Sequence, residues 1–226
     1  TQVLSSAASD VYKRQPVDGY LELKEAICKK FHRDNKIIYN PNQIVVSTGA
    51  KQSIANVVQA LIKPGEEVIL LAPFWVSYSA IVLMADGIPK ILKSDISNDF
   101  KVSAKQIDDA ISEKTKMIII NSPNNPSGSI YNEKELYEIA SVIKKYPNVF
   151  VLSDEIYEHI NYGTKHVSFA SIEGMSERTV TVNGIAKAFA MTGWRIGYLG
   201  APIWIAKACT KLQGQVTSGA NCIAQR

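Results

Sequence analysis

Residues 132–157 read NEKELYEIASVIKKYPNVFVLSDEIY, and this one passage sets the architecture. Asn132 followed three residues later by Glu135 is the pattern of a helix N-cap and its reciprocal partner, and the helix it opens is expected to run to Tyr146. Val149–Leu152 is then brief and apolar at every position, as a strand covered on both faces must be. Polar residues follow at once, in Ser153-Asp154-Glu155. The same unit recurs on either side. Apolar runs at Ile44–Val46, Val68–Leu71, Ile88–Leu92, Met117–Ile120, Val180–Val182 and Ile196–Leu199 bring the expected strands to seven. Helical spacing fills Asp18–Asn35, Lys51–Ile62, Val76–Ala85 and Ser103–Ser112, and a last helix from Pro202 is expected to continue through Ile223 and Ala224. Strand and helix in alternation imply an α/β protein, a three-layer α/β/α arrangement around a mostly parallel seven-stranded sheet.

Composition supports one globular domain. The chain has 226 residues, 46% apolar and 20% charged, long enough to bury roughly 70–75% of the surface its unfolded form exposes. No apolar run reaches the length of a membrane span. Lys and Arg number 25 against 21 Asp and Glu, and the excess of +4 is spread without a basic run, which argues against nucleic acid as a partner. Cys28, Cys209 and Cys222 are too few and scattered for a disulfide framework or zinc site; they read as buried apolar residues in a reducing, cytoplasmic setting. His32, His159 and His166 show no metal-ligand spacing and read as surface or core residues.

Ligands of open α/β sheets bind beyond the carboxyl ends of the strands, so the residues after each apolar run are the candidates for chemistry. Ser47-Thr48-Gly49-Ala50-Lys51 opens a helix whose free N–H groups suit a phosphate, although a Thr-Gly turn capping a helix explains it equally. Trp75, after Pro73-Phe74, offers a flat ring for stacking or a core aromatic. Asn121-Ser122-Pro123-Asn124-Asn125-Pro126-Ser127-Gly128 is a turn with more amides than a turn requires. Asp154 is either a helix N-cap or a carboxylate that needs a cationic partner. Lys187 lies in the nearly uncharged Asn183–Arg195 stretch, where a lysine gives up its proton more readily and suits imine chemistry, and Arg195 presents a planar fork for a phosphate. Taken singly, either is equally a solvated surface charge.

In this order, Asn-Ser-Pro-Asn-Asn-Pro-Ser-Gly, Ser-Asp-Glu-Ile-Tyr and Lys-Ala-Phe-Ala-Met-Thr-Gly-Trp-Arg-Ile-Gly resemble the class I aminotransferases, pyridoxal 5'-phosphate enzymes of fold type I, in their bacterial aspartate aminotransferase branch. The resemblance runs from Pro16 to Arg226 and implies the cofactor-binding large domain at 16–226, without the C-terminal small domain. It implies that Lys187 holds the cofactor as an internal aldimine and moves the substrate proton, and that Asp154 faces the pyridine nitrogen. Asn125 and Tyr157 would hydrogen-bond the cofactor's phenolic oxygen and Trp75 would stack on its ring, with Trp75 and Asn125 also bordering the substrate. The phosphate would rest on Gly49, Ala50 and Lys51 N–H groups and on Arg195. The substrates implied are an amino acid, aspartate first, and a 2-oxo acid, and intact relatives are homodimers.

Departures accompany the match. Gly184 stands where some relatives have a phosphate-binding serine, and Arg14 where the family has a tyrosine reaching the partner subunit's cofactor. None of the five arginines falls in the small-domain motif that grips the substrate carboxylate, so the substrate clamp is expected to be missing. Residues 5–15, SSAASDVYKRQ, resemble the in-frame translation of a transposase sequencing adapter, so 1–15 reads as a non-native leader on a chain cut at both ends. Rival readings are another enzyme of the same fold, an alanine or aromatic aminotransferase or a carbon–sulfur lyase, and a non-catalytic aminotransferase-like sensor domain.

Overall fold

A computed structural model describes residues 15–163 and 165–226. Residues 1–14, with Arg14 and almost all of the expected leader, lie outside the described residues. All seven expected strands are present: β1 (Ile44–Thr48), β2 (Glu67–Leu71), β3 (Ile88–Leu92), β4 (Thr115–Asn121), β5 (Phe150–Asp154), β6 (Thr179–Gly184) and β7 (Ile196–Gly200). They form one sheet in the order β1-β7-β6-β5-β4-β2-β3. Pairings from β3 across to β6 are parallel, while β7 runs antiparallel to both β6 and β1.

Alternation along the strands sorts side chains to two faces. Val68, Leu70, Met117 and Ile119 pack on one face beneath α2 (Ala50–Leu61), α3 (Ser77–Met84) and α6 (Ile203–Val216). Ile69, Leu71, Ile118 and Ile120 face the other way, onto α4 (Ala104–Ala110) and α5 (Glu133–Lys144). On that second face α1 (Leu21–Lys30) covers β1 and β7 through Ile27, which clusters with Ile44, Val46 and Tyr198. The three-layer α/β/α arrangement is therefore the observed one. Asn132 caps α5 as its sequence requires, accepting from Glu135 N at 2.9 Å while Glu135 Oε2 accepts from Asn132 N at 2.7 Å.

The last helix is shorter than its pattern suggests. α6 ends at Val216, because Ser218 turns left-handed at φ +61° and the Thr217 and Ser218 N–H groups both close on Gln213 O. Residues 219–226 instead fold back on the N-terminal segment, where Gln225 Nε2 donates to Gln15 Oε1 at 2.8 Å and its Oε1 accepts from Tyr20 N at 3.0 Å. Gln213 itself is wholly buried; it donates to Val17 O and Val46 O and accepts from Ser47 Oγ and Asn56 Nδ2, which ties α6 to β1, α2 and the entering chain.

Candidate functional site

One edge of the sheet gathers the ends of β1, β4, β5 and β6 together with the start of β7. Asn121 pairs with Asp154, Asp154 with Val182, Gly184 with Gly197, and Thr48 with Ile196. The reversal of β7 is what puts Arg195 at this edge: it precedes its strand, whereas the other candidates follow theirs. A cavity of about 230 Å³ opens here, lined by Ala50, Lys51, Trp75, Asn125, Asp154, Tyr157, Lys187 and Arg195. These are eight of the nine residues singled out from the sequence, and the ninth, Gly49, touches Arg195 from behind.

Asp154 is 4% exposed at the end of β5. The cationic partner that its burial seemed to demand is not present among the described residues; neither is Asp154 a helix cap. Its Oδ2 accepts from Tyr78 Oη at 2.6 Å and its Oδ1 from Ile156 N at 3.2 Å. Burial pushes its pKa up to about 6, and these two donors only partly offset that. The result is a carboxylate with donors on one side, an open cavity on the other and no positive charge in contact.

At the phosphate end, Gly49 holds φ +82° before α2. Its N–H turns back onto Ser47 O at 2.8 Å, while the first-turn N–H groups of Ala50 and Lys51 have no intrahelical acceptor. A Cβ at position 49 would collide with the Arg195 guanidinium, so only glycine lets that side chain lie against the helix start. Arg195 is itself left-handed at φ +55°, a conformation that costs a non-glycine residue about 1–2 kcal/mol. Its Nη1 donates to Thr192 O at 2.9 Å, which leaves other N–H groups of the fork toward the cavity. Gly184, in place of a serine, has no room for one: a Cβ there would stand 2.8 Å from Ile196 O.

Lys187 is exposed rather than enclosed by apolar neighbours, with Nζ 5.7 Å from the centre of the Tyr157 ring. Tyr157 Oη in turn accepts from Asn125 Nδ2 at 3.3 Å. Trp75 lies across the cavity, edge-on to Tyr78 at 5.5 Å, with Lys51 Nζ 4.8 Å over its ring. Two participants escaped the sequence reading. Tyr78 read as one more helix residue, yet it is the chief donor to Asp154. Asn121 was passed over in favour of Asn125, yet its Oδ1 accepts from Asn125 N at 2.8 Å and its Nδ2 donates to Asp154 O at 2.9 Å, locking the two together. A polar residue ending a wholly apolar strand was the available signal.

The histidines and cysteines divide further than expected. Cys209 is buried, Cys28 half-buried and Cys222 exposed. His166 stands within 4.8 Å of Glu155 and Glu158, a grouping that its sequence spacing concealed. Lys30 Nζ and Asn35 Nδ2 already occupy the Glu158 oxygens, so the cluster is an ion-pair network. No helix among the described residues is long and apolar enough to cross a membrane.

A sheet edge of this kind places the chain among the three-layer α/β proteins, whose ligands bind beyond the carboxyl ends of the strands. More narrowly, the chain belongs to the aminotransferase class I and II family, whose model matches residues 2–225. It is 49% identical over 212 residues to the bifunctional aspartate aminotransferase and glutamate/aspartate-prephenate aminotransferase of Petunia hybrida, covering 93% of this chain and 44% of that protein. The aspartate/prephenate aminotransferase of Nitrosomonas europaea is 46% identical, over 94% of this chain and 54% of its own length. The crystal structure of the aspartate aminotransferase from Rhizobium meliloti superposes with a TM-score of 0.93 at 42% identity, over 100% of this chain and 58% of that one. The sheet and its helices match the large domain of that enzyme's fold, and the chain spans about half the length of the relatives it matches.

Proposed function

We propose that this chain is the cofactor-binding portion, residues 16–226, of an aspartate-type aminotransferase that uses pyridoxal 5'-phosphate to exchange an amino group between an L-amino acid and a 2-oxo acid. The observation that carries this reading is Asp154, a buried carboxylate with two neutral donors and no cation, opening onto the same cavity as Lys187. A protonated ring nitrogen supplies the missing charge, and the glycine-backed Arg195 suits a phosphate at the other end. When bound, the cofactor supplies an aldehyde carbon for amine exchange and a ring that accepts electron density from the substrate.

The side chains then have separable tasks. Asp154 holds the proton on the ring nitrogen, and Tyr78 fixes the carboxylate that does so. Asn125 and Tyr157, already joined, present an amide N–H and a phenol to one oxygen. Trp75 covers one ring face and keeps water from it. Lys187 Nζ, at the cavity lining, would take the proton from the substrate α-carbon and deliver it to the cofactor's former aldehyde carbon, the reverse transfer serving the return half-reaction. Ala50 and Lys51 N–H groups and the Arg195 fork bind the phosphate, the arginine as the larger contribution.

Aspartate is the first substrate to test, and the names of the Petunia and Nitrosomonas relatives put prephenate second. A homodimer in a cytoplasmic setting completes the proposal. Incubation with pyridoxal 5'-phosphate, borohydride reduction and peptide mapping tests it directly: the adduct is expected on Lys187 and lost in Lys187→Ala. Labelling elsewhere, or no labelling of folded protein, overturns it.

A further inference from the structure

Asp154 has a buried acidic neighbour. Glu155 is 1% exposed, and the two carboxylates take opposite faces of the sheet, Asp154 toward Tyr78 of α3 and Glu155 toward a separate polar pocket beside α1. Glu155 is fully engaged there. Its Oε1 accepts from Ser153 Oγ and Ser168 Oγ, both at 2.8 Å, and from Phe169 N at 3.2 Å. Its Oε2 meets His166 Nε2 at 3.0 Å. Deeper in the same pocket Glu158 is held by Lys30, Asn35 and Asn183, and His159 stands 3.3 Å from it at the exposed rim.

The buried charges of this pocket, with the rim imidazole of His159 left out of the count, balance in one state. Glu155 and Glu158 face Lys30 and His166, so an imidazolium makes two of each sign and a neutral imidazole leaves one negative charge over. That charge belongs to Glu155, one peptide unit from Asp154 and screened from solvent. Burial alone would raise Glu155 and lower His166, yet His166 with the Ser153 and Ser168 hydroxyls holds Glu155 below its ordinary value, and Glu155 with Glu158 holds His166 above its own. Glu155 in turn pushes Asp154 upward. The buried phenols Tyr39 and Tyr198 beside the pair, and Tyr78 against Asp154, are raised out of the working range and stay neutral.

Resting on the pyridoxal-phosphate reading above, we propose that His166 is a positioning residue: acting through Glu155, its proton sets how tightly Asp154 holds a proton at the ring nitrogen. With the imidazolium present, Asp154 is the single uncompensated anion at this edge. When His166 loses that proton, the negative charge of Glu155 reaches Asp154, and Asp154 becomes the stronger base. Substrate never touches His166; it works from behind the sheet.

The test begins without cofactor. In the full chain with aspartate labelled at the side-chain carboxyl carbon, the Asp154 resonance, assigned by its loss in Asp154→Asn, is titrated beside the His166 ring signals. The wild-type Asp154 curve is expected to show a second inflection at the His166 midpoint. His166→Gln should raise the Asp154 midpoint by about one pH unit, the lower end of what a nearby like charge produces. Glu155→Gln should lower it, and adding His166→Gln to Glu155→Gln should then move it no further. An Asp154 curve blind to His166 in the wild type, or a His166→Gln effect that persists without Glu155, overturns the proposal. With ¹⁵N-labelled pyridoxal 5'-phosphate, ring-nitrogen deprotonation should move upward in His166→Gln by the same amount. If wild-type chain with intact carboxylate coupling takes up no labelled cofactor, the cofactor reading fails and the coupling does not.

Discussion

Tyr78 Oη donates to Asp154 Oδ2 at 2.6 Å, both groups buried, across 76 positions of chain. This bond is the strongest fixed element of the site, since a hydrogen bond to a charged acceptor is worth about 1.5–3 kcal/mol. It has a function besides stability. Asp154 must stay ionised and aimed at the cavity, and a phenol on its far oxygen does both without supplying a positive charge.

Tyr78→Phe should therefore destabilise the chain by about 2 kcal/mol at pH 8, where Asp154 is ionised. At pH 5, below the Asp154 value of about 6, the carboxyl is mostly neutral and the loss should shrink to less than half. Urea denaturation at the two pH values measures the difference. An equal loss at both would remove the carboxylate from the explanation.

Asp154→Asn should do the opposite to the ligand-free chain. Its folded value lies above its ordinary 3.8, so ionised Asp154 costs stability, fully above about pH 6 and progressively less as the pH falls toward 4. The amide substitution should raise stability at pH 8 by about 1–3 kcal/mol and leave it little changed at pH 4. The same variant should lose most of its affinity for pyridoxal 5'-phosphate, measurable by absorbance titration. A site whose removal stabilises the fold is one kept for binding.

Gly184→Ser is expected to fail as a restoration of a phosphate contact. The new Cβ would meet Ile196 O at 2.8 Å and Gly197 Cα at 3.0 Å, both backbone atoms that cannot swing away. Destabilisation of about 1–3 kcal/mol should result, read as a fall in Tm of about 2–4 °C per kcal/mol, without a gain in cofactor affinity.

Gln213→Leu should be among the most damaging substitutions far from the cavity. It would strand Ser47 Oγ, Asn56 Nδ2 and the carbonyls of Val17 and Val46 in a dry interior. A loss of at least about 3 kcal/mol is expected by urea denaturation, against less than about 1 kcal/mol for an exposed control such as Gln59→Leu.

Strands were legible in the sequence because double-sided burial writes itself as an unbroken apolar run; Met117–Ile120 and Val68–Leu71 could be little else. Side chains at strand ends were legible for the complementary reason, that polarity resumes where cover stops. Pairings were not. Nothing local ties Tyr78 to Asp154, because the strand order brings them together and is not written in any one segment, while His166 meets Glu155 through the path of the β5–β6 connection, which has no periodic pattern to read. The end of α6 escaped because the left-handed turn falls on Ser218 and not on Gly219, the residue whose type would have announced it. The bond from Gly49 N–H to Ser47 O was not legible either, because it depends on a turn that only the folded backbone displays.

β1 has a single neighbour in the sheet, β7, so the first strand made must wait for the last. Thr48 and Ile196 meet across 148 positions, which makes their pairing the most non-local in the sheet edge that holds the cavity. The helix start and the guanidinium therefore become a joint anchor in one closing step. On the proposed reading, a newly synthesised molecule would gain both halves of its anion grip together, and the loading experiment would register only chains whose β1 and β7 have paired.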